Sequence, residues 1–295
     1  MPVISVLGTK GGVGKSTIAM GIASWLSKMQ DDLVLLVDGD VHTRTVELKM
    51  CPKADVTLAE VLRGKHELVD AIYLCQLKSR GKWVFPQLAI LPAGGQFMPA
   101  GGRDVNKFLT DTITSFDKVM PKLRGYFSYV IVDTPPSVMF EHFILTAISD
   151  GLIFTVTPDV ESVFSSRQTA MGLKEMMGLK TVGTILNKIP RGMTLIDTWM
   201  DYASSIAPVI GTVYKDEIID DAFRRNLPVV AAYPKSSAAI SMKDVTKKIL
   251  KMDIKPTRVT SRFKKALGQL WVPGKKWAAD LEEPKKVSQK PKRLL

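Results

Sequence analysis

Gly8-Thr9-Lys10-Gly11-Gly12-Val13-Gly14-Lys15-Ser16-Thr17 decides how the rest of the chain is read. It fits G-x-x-x-x-G-K-[ST], a loop whose glycines let successive backbone N–H groups converge on phosphate oxygens. The apolar run 3–7 precedes it, and Ile18, Ile22 and Leu26 follow at four-residue spacing. A strand therefore leads in and an amphipathic helix leads out, adding its N-terminal partial positive charge to the cradle. In such a loop Lys15 binds the β- and γ-phosphates and Ser16 coordinates Mg²⁺. Gly11, Gly12, Val13, Gly14, Lys15, Ser16 and Thr17 are the cofactor-binding candidates here.

Working outward, short apolar runs at 33–37, 88–91, 129–132, 151–156 and 181–186 read as further buried strands. Between them lie helical stripes: Val105, Phe108, Leu109, Thr112, Phe116 and Val119, then Val163, Ala170, Leu173, Met176 and Met177. Strand–helix alternation predicts an α/β fold, a mostly parallel twisted sheet with helices on both faces. Ligands of such sheets bind beyond the carboxyl ends of the strands, which is where the motifs fall.

The chain has 295 residues, 45% apolar and 24% charged, which excludes a wholly disordered chain. No apolar run reaches the ~18 residues of a membrane span, and the start lacks the pattern of a signal peptide. Two cysteines, Cys51 and Cys75, and three histidines exclude a disulfide framework and a His-rich metal site. The expectation is a cytoplasmic protein. Net charge is +12, and residues 255–295 hold 12 Lys+Arg against 3 acids, so +9 of it belongs to the tail. That asymmetry points to an anionic surface, lipid or nucleic acid. The expected organisation is a globular domain at 1–254, a basic helix at 255–272 and a basic, flexible tail at 273–295.

Lys10, ahead of Lys15, gives the loop a second lysine: Lys10-Gly-Gly-Val-Gly-Lys-Ser. This resembles the deviant Walker A of the MinD/ParA family of dimerising ATPases, and MinD-like members most. The resemblance runs from residue 3 to about 252. It implies a P-loop ATPase domain with ATP and Mg²⁺ as cofactors, an ATP-dependent homodimer, and Lys10 reaching the partner's ATP in trans. Asp38-Gly-Asp40 resembles the family's D-x-D switch, implying a water-positioning role for Asp40 and a Mg²⁺-linked or switch role for Asp38; capping a turn is the alternative for both. Here Arg44 matches the MinD-type pattern, while His42 and Thr45 stand where family members usually have a small residue and Asn. Tyr-Val-Ile-Val-Asp133-Thr-Pro-Pro resembles Walker B, which implies a carboxylate near Mg²⁺. Gly-Thr-Ile-Leu-Asn187-Lys resembles the element whose Asn hydrogen-bonds the adenine edge. The stretch 210–217 resembles the base-pocket segment, with Asp216 matching and Tyr214 in place of Pro.

Read as a helix, 257–271 puts Val259, Phe263, Leu267, Leu270 and Trp271 on one face and Arg258, Arg262, Lys264 and Lys265 on the others. A basic amphipathic helix with Phe and Trp reads as a membrane-surface element, and MinD-type proteins end in one. The expected partners are a second copy, an anionic membrane surface at the inner face of the cell membrane, and an activating or cargo protein. The alternative is a ParA-like partition ATPase on non-specific DNA, with Arg224-Arg225 contributing. An iron–sulfur carrier of the same superfamily is disfavoured because Cys51 and Cys75 form no C-x-x-C.

Overall fold

The computed structural model describes residues 1–79, 81–95, 111–112, 114, 116, 120–121, 123–136 and 140–256, the side chains of 140 and 141 excepted. The basic helix and tail expected after 256, and most of the stripe at 105–119, lie outside the described residues; Thr112 and Phe116 are helical and buried.

An eight-stranded sheet organises the chain, in the order β10-β9-β8-β1-β7-β2-β6-β3. Its strands are β1 (Val3–Leu7), β2 (Leu33–Asp38), β3 (Tyr73–Leu74), β6 (Leu88–Leu91), β7 (Phe127–Asp133), β8 (Gly151–Val156), β9 (Thr181–Ile189) and β10 (Val209–Tyr214); β4 (Lys78–Ser79) and β5 (Lys82–Trp83) form a separate hairpin. All ladders in the large sheet are parallel except β3 on β6.

The strands are apolar on both sides, and period 2 assigns their residues to two cores. Ile4 and Val6 of β1 and Val34 and Leu36 of β2 pack with α1 (Lys15–Met29), α2 (Thr45–Met50), α8 (Val229–Ala232) and α9 (Ser237–Leu250). Val3, Leu7, Leu35 and Val37 face the opposite core, with α3 (Leu58–Leu62), α4 (Phe140–Ala147) and α5 (Val160–Met177). α6 (Ile196–Ser204) covers a smaller cluster around Leu186 and Ile189, and α7 (Glu217–Arg224) precedes α8. Ile18, Ile22 and Leu26 are fully buried, each stabilising the fold by roughly 1.5–3 kcal/mol. Their burial fixes α1, and with it the loop that α1 terminates.

Candidate nucleotide-binding site

The loop between β1 and α1 turns at two glycines. Gly12 has φ 76° and Gly14 φ 95°, left-handed conformations that any other residue adopts only under strain. A Cβ on Gly14 would lie 2.3 Å from Nδ2 of Asn187. That nitrogen donates to the Val13 carbonyl at 2.7 Å. Asn187, near the end of β9, thus fastens the loop to the sheet through its amide nitrogen. No side chain caps the first turn of α1, so Lys15, Ser16 and Thr17 lead a helix whose N–H groups point into the cradle.

Parallel register places Asp38 of β2 directly beside Asp133 of β7. Both carboxylates are fully buried. Burial, followed by Asp133 itself, holds Asp38 well above the usual carboxylate range. Burial pushes Asp133 up to about 7, while the Ser16 hydroxyl and the Lys15 ammonium pull it back and Asp40 adds to the rise. Neither oxygen of Asp133 has an aligned hydrogen bond, the Ser16 hydroxyl included. Lys15 is only 6% exposed; burial lowers its pKa against the attraction of Asp133 and Asp40. His142 of α4 is buried within range of Lys15, and burial and then that ammonium push it down to about 4, so the imidazole is neutral.

The arrangement suits an octahedral divalent cation held by one or two carboxylates, a hydroxyl and phosphate oxygens. Orphaned buried oxygens on Asp133 facing Ser16 are the observation that fits it. Among the described residues no group of three or more His, Cys, Asp or Glu side chains forms an all-protein cage.

Asp38 and Asp40 make the turn-capping contacts that the sequence left as their alternative role. Asp38 accepts from the N–H of Asp40 at 3.1 Å and of Glu47 at 2.9 Å. Asp40 accepts from the N–H groups of His42 and Thr43 at 3.0 and 3.2 Å and from the Thr43 hydroxyl at 2.8 Å. Both therefore hold the turn into α2, the turn-capping that Asx residues make readily. Glu47, silent in the sequence, extends this network: its carboxylate accepts from the Gly94 N–H at 3.1 Å and from Arg44 at 3.2 Å.

Lys10 stands apart from the cradle, its side chain 41% exposed. Its ammonium is 3.0 Å from Glu161 and 3.4 Å from Asp159 at the start of α5, and Glu161 chiefly raises its pKa. Thr9 is held to the same helix through the hydroxyls of Ser165 and Ser166, at 2.5 and 3.2 Å. Asp159 also caps α5, accepting from the Ser162 N–H. Only the general rule that acids favour a helix start signalled Asp159 and Glu161 in the sequence.

Asp216 caps α7 through the Ile218 N–H, accepts from the Ser237 hydroxyl at 3.0 Å and lies 3.8 Å from Arg191. β9 carries Asn187 toward the loop and β10 leads into Asp216, so both expected base-pocket residues come from neighbouring parallel strands.

A family description of AAA domains (AAA_31) matches residues 1–185. An uncharacterized ATP-binding protein of Methanocaldococcus jannaschii is 28% identical over 253 residues, covering 84% of this chain and 87% of that protein. A virulence plasmid ParA family protein of Chlamydia psittaci is 26% identical, covering 84% of this chain and 94% of its own. The septum site-determining protein MinD of Pyrococcus horikoshii, solved with Mg-ADP, superposes with a TM-score of 0.69 at 23% identity, over 86% of this chain and 99% of that one. Two-lysine loop, paired strand-end acids and a mostly parallel sheet all agree with these matches: the chain belongs to this family of AAA domains, among the MinD/ParA-type P-loop ATPases.

Proposed function

We propose that this protein is a MinD-like ATPase switch: it dimerises with ATP, binds a membrane surface through the segment after residue 254, and positions a partner or cargo until hydrolysis. The observation that carries the reading is Lys10, an exposed second lysine on the phosphate loop that takes no part in its own cradle. ATP and Mg²⁺ bind in the loop, as the Mg-ADP of the Pyrococcus horikoshii protein suggests. Gly11 to Thr17 and Lys15 bind the phosphates, and Ser16 and Asp133, with Asp38, hold the Mg²⁺. The ion supplies charge neutralisation across the β- and γ-phosphates.

Around it, the chain's own groups do the positioning. Asp40, whose carboxylate here holds the 42–43 turn, orients the water that attacks the γ-phosphorus as the bond to the β–γ bridging oxygen breaks. Asn187 accepts from the exocyclic amine of adenine through Oδ1, and Asp216 closes the base pocket. Lys10 leaves Glu161 for the triphosphate of the second copy, where it offsets the charge of two facing nucleotides. Among the described residues no helix is long and apolar enough to cross a membrane.

Turnover measured in the unaltered protein and in Lys15→Ala tests the enzyme assignment. A rate reduced at least about a hundredfold is expected, since Lys15 acts on charge that develops in the transition state; equal rates refute it. Vesicle sedimentation with and without ATP tests the surface. The ParA-like alternative is favoured if the protein instead binds DNA with steep salt dependence and ignores lipid. Arg224 and Arg225, the candidate DNA contacts, each lie within 4 Å of Asp221, which offsets part of their charge.

A further inference from the structure

The nucleotide loop sits at the carboxyl ends of the strands; the amino ends form the opposite pole. β3 runs antiparallel to β6, with Leu74 opposite Ala89 and the Cys75 N–H on the Leu88 carbonyl at 2.8 Å. The chain leaving β3 therefore heads for the amino end of β6, and there it makes the β4–β5 hairpin. Lys78 pairs with Trp83 and Ser79 with Lys82, and the Val84 N–H closes the ribbon on the Leu77 carbonyl at 3.0 Å. All four strand residues are exposed, while Leu77 and Val84 at the base of the ribbon pack against the α1-side core and Phe85, just after it, is the buried anchor. Trp83 is 49% exposed. By itself one exposed indole is ordinary; what sets this one apart is the charge around it.

The chemistry around that indole is cationic. Lys78 Nζ stands 4.1 Å from the Trp83 ring centroid. Lys28, near the end of α1, is 5.0 Å from the Phe85 ring and 5.7 Å from that of Trp25, and Lys243 of α9 is 5.0 Å from Trp25. Three ammonium groups, of Lys78, Lys28 and Lys243, thus run from the hairpin across α1 to α9. Asp31 and Asp32 lie on the turn from α1 into β2, Asp244 follows Lys243, and Asp150 and Asp253 adjoin Gly151 and Ile254. The described chain finishes at the same pole: Ile254 packs 3.5 Å from where Gly151, first residue of β8, would carry a Cβ. Residues 257–295 continue from there. In the sheet β8 and β6 are four strand spacings apart, about 19 Å.

We propose that the β4–β5 hairpin, with Trp83, Lys78 and Lys82 and flanked by Lys28 and Lys243, is a second contact with an anionic lipid surface. It rests on the membrane reading of the tail and adds a contact at a distance from the tail's exit. Tryptophan favours headgroup depth, where its ring is apolar and its N–H wet, and lysine stems let ammonium groups reach phosphates beside it. Two spaced contacts convert the second into an intramolecular event. Lipid suits the site better than nucleic acid because Lys78 occupies the face of Trp83 on which a base would stack.

The test is vesicle sedimentation of the full chain with ATP and Mg²⁺, using phosphatidylcholine with about one quarter phosphatidylglycerol, against phosphatidylcholine alone. Lys78→Glu combined with Lys82→Glu is expected to lower partitioning onto the anionic vesicles about tenfold or more. Melting temperature and lipid-free turnover should not change, because the pair is exposed and remote from the nucleotide. Bromine-labelled lipid should quench tryptophan fluorescence of the unaltered chain more than that of Trp83→Phe. Unchanged partitioning and equal quenching, with binding lost on deleting 257–295, would overturn the hairpin contact and leave the membrane reading standing. No vesicle binding by the unaltered chain, with DNA binding that the charge reversals weaken, would overturn both.

Discussion

The Lys10 ammonium is parked 3.0 Å from the Glu161 carboxylate of its own chain. A lysine proposed to serve a neighbouring subunit is thus occupied at home. Exposed ion pairs are weak and screened by salt, so this contact retards Lys10 without trapping it. Glu161→Gln removes the nearer of the two acidic partners and leaves Asp159, with its cap of α5, in place. It is expected to lower, by a few-fold, the ATP concentration at which dimers form in analytical ultracentrifugation, and raised salt should erase the difference. A higher ATP requirement would contradict this.

Asp133 gives the site a pH signature. Burial lifts its pKa to about 7 in the nucleotide-free fold, so that fold binds more protons than the unfolded chain between the usual carboxylate range and pH 7. Stability therefore falls as pH rises through that window. Asp133→Asn, a neutral isostere, escapes the penalty. Without nucleotide it should be more stable than the unaltered protein by roughly 2–4 kcal/mol near pH 8, the gap shrinking to about 1–2 kcal/mol near pH 5 and closing only below about pH 4, where the unfolded carboxyl also takes up its proton, as read from urea midpoints. It should also lose Mg²⁺-dependent turnover. A variant less stable at pH 8 would contradict the orphaned-carboxylate account.

Asn187 has two tasks in this account, and one substitution separates them. Asn187→Ala removes the 2.7 Å bond to Val13 and leaves that carbonyl unpartnered. A stability loss of about 1–3 kcal/mol follows, with weaker nucleotide binding. If Oδ1 also accepts from the adenine amine, the preference for ATP over GTP should narrow, because guanine offers an acceptor at that edge. Equal losses for ATP and GTP, by calorimetry, would confine Asn187 to buttressing the loop.

The central strands were legible because a strand buried on both faces is a continuous apolar run. VISVL and LAIL match β1 and β6 residue for residue, and GLIFTV matches β8. β10 was legible only as a base-pocket segment: Gly211 and Thr212 interrupt its apolar run and it is half-buried at the sheet edge. β3 to β5, two residues each, are too short for periodicity to register. In the site, the motif fixed Lys15 and Ser16 because loop and helix are contiguous in sequence. Glu47, Glu161 and His142 escaped notice since each reaches the site only through folding, from a switch helix, a helix start and a buried helix face. Asp38 and Asp40 were found by spacing, but spacing says nothing of the backbone N–H groups they hold.

One measurement bears most directly on a triphosphate shared between two copies: the mass in solution, with a slowly hydrolysed ATP analogue and Mg²⁺, of the unaltered protein and of Lys10→Ala. The account predicts a dimer for the first and a nucleotide-loaded monomer for the second. A dimer that persists in Lys10→Ala, or an unaltered chain that binds the analogue and stays monomeric, would contradict it.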